Sequence, residues 1–239
     1  MAEWALKRFW SDACVVEDRH GYRIELDGKP IRTPLKDLLL LPTRAMADAV
    51  SAEWDAQTDV IDPRAMPMTR SANSAIDKVA RQKAEVEAIV ADYGETDLLC
   101  YRAPDPAALV ERQAEAWDPL LDWAAERYGA RLATGTGVLP IAQSSRTLAA
   151  LSDAVAQTTP FELTALHDLV SLSGSLVLGL AAAERVYPLV DVWKRSRVDE
   201  VWQIEQWGED EEAAEALTIK EEAFHHAFAF FQLAQKNAS

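Results

Sequence analysis

Paired cysteines, clustered cations and long apolar runs are all scarce in this chain, and each shortage excludes a class of protein. Of 239 residues only two are cysteine, Cys14 and Cys100, and no CxxC pair occurs. A disulfide-stapled secreted fold is therefore not expected, and a reducing compartment with free thiols is. Met1 to Trp10 has no apolar centre of the kind a secretory signal needs, and no Arg- and Ser-rich leader is present. The most apolar run, Leu169 to Ala183, is interrupted by Ser and Gly and stops at Glu184. It is too short for a membrane span. Cations are few as well: 24 Lys and Arg stand against 39 Asp and Glu, a formal charge of -15. Nucleic acid and anionic membrane are excluded as main partners, because phosphate binding requires clustered positive charge. Asp27-Gly28-Lys29-Pro30 lacks the earlier glycine and the following Ser or Thr of a phosphate loop. The expectation is a soluble, cytoplasmic protein with no cofactor, no metal and no small-molecule substrate.

What is present is the composition of a globular protein, 49% hydrophobic with eight tryptophans. That is more tryptophan than a core of this size needs. Residues 14 to 42 read as strands: Tyr22 to Leu26 alternates in polarity, and Asp27-Gly28 tolerates the positive φ of a tight hairpin turn. Thr43 is placed to cap a helix running to about Ala56, with Met46, Ala49, Val50 and Trp54 on its apolar face. Ile61 to Met68 reads as an extended connection. From Thr69 the helical period dominates. Asp105-Pro106 opens a helix that Pro119 is expected to kink or restart. A looser segment from 129 to 145 offers a short strand at 138 to 141. Thr159-Pro160-Phe161-Glu162 has capping-box spacing and opens an apolar helix expected to reach Arg185, with Ser171, Ser175 and Gly179 along a small-residue seam. A further helix from Pro188 is expected to stop at Gly208, and a last one carries Phe224, Phe228 and Phe231. The fold class is α+β: a small β-rich N-terminal domain over residues 1–68 and a larger helical C-terminal domain over residues 69–239.

Few residues suggest chemistry. His167-Asp168 with Ser171 invites a hydrolase reading, but the serine lies in a helical pattern and not on a nucleophile elbow. His225-His226 point about 100° apart on a helix, poorly placed to share a metal ion. No catalytic residue is assigned, and an enzyme is not expected.

The stretch Ser196 to Glu212, SRVDEVWQIEQWGEDEE, is the most informative. It sets Trp202 and Trp207 in a run of carboxylates with no basic residue after Arg197. Glu209, Asp210, Glu211 and Glu212 suit the dipole of a following helix. That leaves Asp199, Glu200 and Glu205 on the preceding helix to be explained. Aromatics supply rigid area to bury on a partner, and charges set register and reject wrong partners. The competing reading is a helix junction that buries its tryptophans and solvates its acids.

Several strings coincide in order: KRFW at Lys7 to Trp10, LDGKPIRTP at Leu26 to Pro34, LPTRAMADAVSAEWD at Leu41 to Asp55, and IDPRAMPMTRSANSAID at Ile61 to Asp77. ETDLLCYR at Glu95 to Arg102, WDPLLDW at Trp117 to Trp123, SGSLVLGLA at Ser173 to Ala181 and the acidic–aromatic stretch complete the set. Together they resemble the assembly chaperone family for the F1 sector of ATP synthase, the one that escorts the alpha subunit. The resemblance implies a non-catalytic α+β protein that binds unassembled alpha subunit, prevents its aggregation and hands it over for assembly with the beta subunit. It also implies partner-binding roles at Asp199, Glu200, Trp202, Gln203, Trp207 and Glu211, to which Glu209 is added from the acidic run. Trp54 and Gly208 are expected to be structural. Asp199 stands where the family often has Glu. The resemblance further implies a bacterial cytoplasmic protein, since the eukaryotic members, which work in the mitochondrial matrix, carry a leader of a kind not expected here. The alternative function is an adaptor or scaffold with an acidic, aromatic surface for another basic client.

Overall fold

The computed structural model describes residues 7–137 and 139–235. The chain divides into two compact units: one holds Met1–Lys83 with Thr159–Thr164 and Ala229–Ser239, the other Ala84–Thr158 and Ala165–Phe228. The order of elements is strand-rich first and helical after, the α+β class expected from the sequence.

In the first unit β1 (Ala13–Asp18) and β2 (Gly21–Leu26) pair antiparallel along their whole length, Ala13 opposite Leu26 and Asp18 opposite Gly21. The other edge of β2 is shared by β3 (Lys29–Pro30) and β4 (Leu40–Leu41), both antiparallel. Asp27 (φ 47°) and Gly28 (φ 77°) form the two-residue turn between β2 and β3. Positive φ at both positions matches the strand twist, which is why Asp-Gly suits this place. The Asp27 carboxylate also accepts from the amides of Ser11 and Asp12. Helix α1 (Arg44–Asp55) starts where the Thr43 hydroxyl accepts from Met46 N at 3.1 Å, and it buries Met46, Ala47 and Val50. Its Glu53 carboxylate takes the amides of Met68 and Thr69 at 2.7 and 2.8 Å. Those are two of the unpaired N–H groups that open α2 (Pro67–Ser74), so one side chain fixes the entry of the next helix. A π turn, Ala75–Val79, follows.

The second unit contains α4 (Ala107–Tyr128), α5 (Ser145–Ala156), α7 (Leu176–Ala183), α8 (Leu189–Arg195) and α9 (Val198–Trp207). It also takes in most of α3 (Lys83–Asp92), α6 (Pro160–Ser173) and α10 (Glu211–Ala234). A two-residue parallel pair joins β5 (Tyr101–Arg102) to β6 (Gly135–Thr136). Trp117 of α4 is fully buried, and its indole N–H donates to Arg195 O at 2.7 Å. Asp97 is also fully buried: one carboxylate oxygen accepts from Leu99 N at 3.0 Å, the other from Val177 N at 3.1 Å.

Five expectations about elements are corrected. Ile61 to Met68 is not extended throughout: Asp62 caps a 3-10 turn, Pro63–Ala65, and α2 already begins at Pro67. Pro119 does not interrupt α4; the carbonyl it leaves unpaired belongs to Glu115, and both residues are exposed, so water can serve it. The helix from Pro160 breaks at Gly174 (φ 73°), after which Ser175 caps α7 by accepting from Leu178 N. The seam is thus divided, but Gly179 does permit close approach: a Cβ there would lie 2.4 Å from Val170 Cγ2. The helix from Pro188 likewise breaks at Ser196 and Arg197 into α8 and α9. The short strand expected at 138–141 lies at Gly135–Thr136 instead, and residue 138 is outside the described residues.

Candidate functional site

Helix α9 is rooted at its first turn. Ser196 Oγ donates to Trp193 O at 2.6 Å, which closes α8. Arg197 is then spent on its neighbours: it donates to Leu172 O at 2.7 Å and to the Glu200 carboxylate at 2.8 Å, and lies 4.7 Å over the Trp193 ring. Val198 is buried beside it, and beyond that point α9 emerges. Val201 and Ile204 are exposed, and Trp207 is 79% exposed. Spaced three residues apart along α9, these three are neighbours on its surface, and a group of exposed apolar side chains is more informative than a single one.

Helix α4 holds the other face of α9. Gln113, buried, donates to the Asp199 carboxylate at 2.7 Å. One turn further, Arg112 sits 5.0 Å over the Trp202 ring and donates to Glu205 at 2.9 Å. That guanidinium holds the Glu205 carboxyl below the usual range through their hydrogen bond. Gly208 (φ 91°, ψ 168°) then ends the helix, and its N–H reaches Ile204 O at 2.8 Å. A side chain at that φ would be strained. The Asp210 carboxylate accepts from Ala213 N at 2.8 Å and starts α10.

The candidate residues are thereby brought together on α9 and its junction with α10, but they fall into two sets. Asp199, Glu200 and Glu205 already have partners in Gln113, Arg197 and Arg112. The carboxylates of Glu209, Glu211 and Glu212 are exposed and have no hydrogen-bond or ion-pair partner among the described residues. Trp202 is half-buried under Arg112, whereas Gln203 and Trp207 are exposed. Trp54 belongs to the other unit, where it meets Trp10 edge-on with centroids 5.3 Å apart.

Two clefts flank Trp207, and Gln203 and Trp207 form the wall between them. One, of about 690 Å³, is bounded by Tyr101, Pro104, Leu109, Gln113 and Trp202. The other, of about 490 Å³, lies between α9 and the start of α10, floored by Ile204, Ala213, Ala214 and Leu217. Sequence reasoning did not find Arg112, Gln113 or Ile204, because their roles depend on which helix packs against α9. A glutamine four residues before a tryptophan on α4 carries no such signal by itself.

The remaining polar constellations do not converge. His167 Nδ1 lies 2.9 Å from the Asp168 carboxylate, and that hydrogen bond raises the histidine's pKa, but the Ser171 hydroxyl turns to Asp168 O. Among the described residues no group of three or more His, Cys, Asp or Glu side chains is arranged for a metal ion, and no helix is long and apolar enough to cross a membrane.

Exposed aromatic and aliphatic side chains, a fringe of carboxylates and two shallow clefts make up this surface. A sequence model of the ATP12 chaperone protein matches residues 7–125. Atp12 from Paracoccus denitrificans superposes with a TM-score of 0.94 at 48% identity, covering 98% of this chain and 100% of that one. A protein of Agrobacterium tumefaciens superposes at 0.90 with 42% identity, covering 96% of this chain and 86% of its own. Mitochondrial protein atp12 of Schizosaccharomyces pombe is 21% identical over 223 residues, 88% of this chain and 77% of that protein. The chain belongs to the ATP12 chaperone family, which serves ATP synthase assembly.

Proposed function

We propose that this protein binds the unassembled alpha subunit of the F1 sector of ATP synthase, keeps it from aggregating and releases it to the beta subunit. The observation that carries the reading is Trp207, left 79% exposed at the tip of an otherwise well-anchored helix and ringed by carboxylates. An unassembled subunit presents apolar surface that is later buried in the assembly, and exposed patches of that kind aggregate. A few aromatic anchors with steering charges can cover such a patch reversibly. Binding uses Trp207, Gln203 and Trp202, with Glu209 and Glu211 steering and Asp199 and Glu200 shaping α9. The role needs no turnover, and release follows from competition by the beta subunit. Trp54 and Gly208 act through the fold, at the Trp10 contact and at the end of α9.

The test is to heat alpha subunit with and without this protein while following light scattering, and to pass the soluble fraction over a sizing column. Suppressed scattering with co-elution is expected. Unchanged aggregation and separate elution would return the choice to an adaptor for a different basic client.

A further inference from the structure

The cleft between α9 and α10 has features that the chaperone reading alone does not require. Its floor is built from Ile204, Leu217 and three alanines, Ala213, Ala214 and Ala216, whose short side chains let a partner come close to the α10 backbone. Trp207 stands over one side with most of its ring in water. The volume, about 490 Å³, lies in the range of ordinary binding pockets and admits a few apolar side chains. Glu200, Glu209 and Asp210 line the same cleft, and Glu209 is without a partner among the described residues. Among the other lining residues Arg197 is tied to Glu200, and Lys220 stands ten residues past Asp210, roughly 15 Å along the helix. The cleft is therefore acidic at its connection end and cationic farther along.

Backbone groups within the two helical walls are engaged in their own helices, so an extended strand would find no edge to pair with. The occupant must bind through side chains, as an amphipathic helix does. A second copy of this chain is disfavoured, since each copy carries a charge of -15 and brings its own acids to the contact. We infer that the α9–α10 cleft takes one amphipathic helical segment of the client, with an apolar stripe on Ile204, Ala213 and Leu217 and a Lys- or Arg-bearing end beside Glu209 and Asp210. This names the bound element for the surface proposed above and rests on that reading for the identity of the client.

The experiment uses the full chain and two probes. One is unassembled alpha subunit. The other is a pair of synthetic helices with the same leucine stripe at i, i+3, i+4 and i+7, one ending in lysines and one in glutamates. The cleft is filled by the neutral double variant Ala213→Gln/Ala216→Gln, both at exposed positions that line it, with Leu217→Glu as a second variant should the first fail to fold. The lysine helix is expected to bind at least about tenfold more tightly than the glutamate helix, and the filled variant to lose at least about tenfold toward both the lysine helix and alpha subunit. A folded filled variant that binds alpha subunit like the parent, while Trp207→Ala binds it weakly, overturns the cleft and leaves the chaperone reading standing. A parent chain that ignores alpha subunit but takes the lysine helix in the cleft does the reverse. Equal binding of the two helices also overturns the inference, because the acidic end would then select nothing.

Discussion

Replacing Trp207 by alanine separates binding from folding in this protein. The ring is 79% exposed, so truncating it removes almost no buried contact from the folded chain. Stability should change by no more than about 0.5 kcal/mol, the usual size for a surface substitution. Binding is different. A tryptophan can bury on the order of 150 Å² of additional surface when a partner covers it. At about 25 cal/mol per Å² that is a ceiling near 4 kcal/mol. Ordering the side chain and desolvating its neighbours takes back roughly half, leaving about 2 kcal/mol, or a loss of affinity of about thirtyfold. The assay is titration of alpha subunit by Trp207→Ala and by the parent, with urea melts of both free proteins. A thirtyfold loss with coincident melts supports a contact role. If the melts coincide and the affinity is unchanged, the exposed ring is not an anchor and the argument from it fails. Coincident affinity with a large drop in stability would mean that the ring holds α9, which its exposure contradicts.

Further predictions concern the charges and the core. Glu209→Gln/Glu211→Gln should slow association with alpha subunit and flatten its salt dependence more than Asp199→Asn does, because the first pair has no partner in the chain whereas Asp199 is held by Gln113; stopped-flow rates at two ionic strengths decide it. Gly179→Ala puts a Cβ 2.4 Å from Val170 Cγ2 and should cost about 1–3 kcal/mol in a denaturant melt, with Val170→Ala in the same chain recovering part of it. Asp97 is pushed above the ordinary carboxyl range by burial, while the Ser175 hydroxyl and the amides of Val177 and Leu99 pull it part of the way back. With the folded pKa raised, its contribution to stability is fully present below the unfolded value of about 4 and is lost as pH rises through the folded value. Asp97→Asn should abolish that dependence in melts run across the acidic range. It should also cost about 1–3 kcal/mol at low pH, since its one oxygen cannot accept from both Leu99 N and Val177 N.

What the sequence revealed and what it hid follow one physical division. Asp27-Gly28, the Thr43 cap and the Thr159–Glu162 box were legible because each is satisfied within a few residues of itself. The break at Gly174 was not, because the apolar run continues through it. It is sustained by Asp97, 80 positions from Val177, whose carboxylate takes an amide at the start of α7. Pro119 misled for the converse reason: its local cost is real, but the buried face formed by Trp117, Leu120, Leu121 and Ala124 carries α4 across it. At the candidate site the residue types were legible as a surface and their division was not. Nothing near Asp199 or Glu205 in sequence announces Gln113 or Arg112, which stand 86 and 93 positions away.

That division also bears on how a chaperone can bind and still let go. An acid that must leave Gln113, Arg197 or Arg112 to meet a client exchanges one partner for another, so Asp199, Glu200 and Glu205 add little net affinity. Their existing bonds instead hold α9 in place, which lowers the ordering cost of presenting Trp207. Glu211 and Glu212 lie in solvent outside the α9–α10 cleft, where their charge would act over a Debye length and speed encounter more than strengthen a complex, whereas Glu209 lines the cleft itself. On the proposed function, attraction at a distance, one rigid aromatic anchor and carboxylates already satisfied would give fast capture with modest holding strength. On the same reading, a surface of that composition would yield to a competitor that buries more apolar area, and release would need no nucleotide bound to this chain.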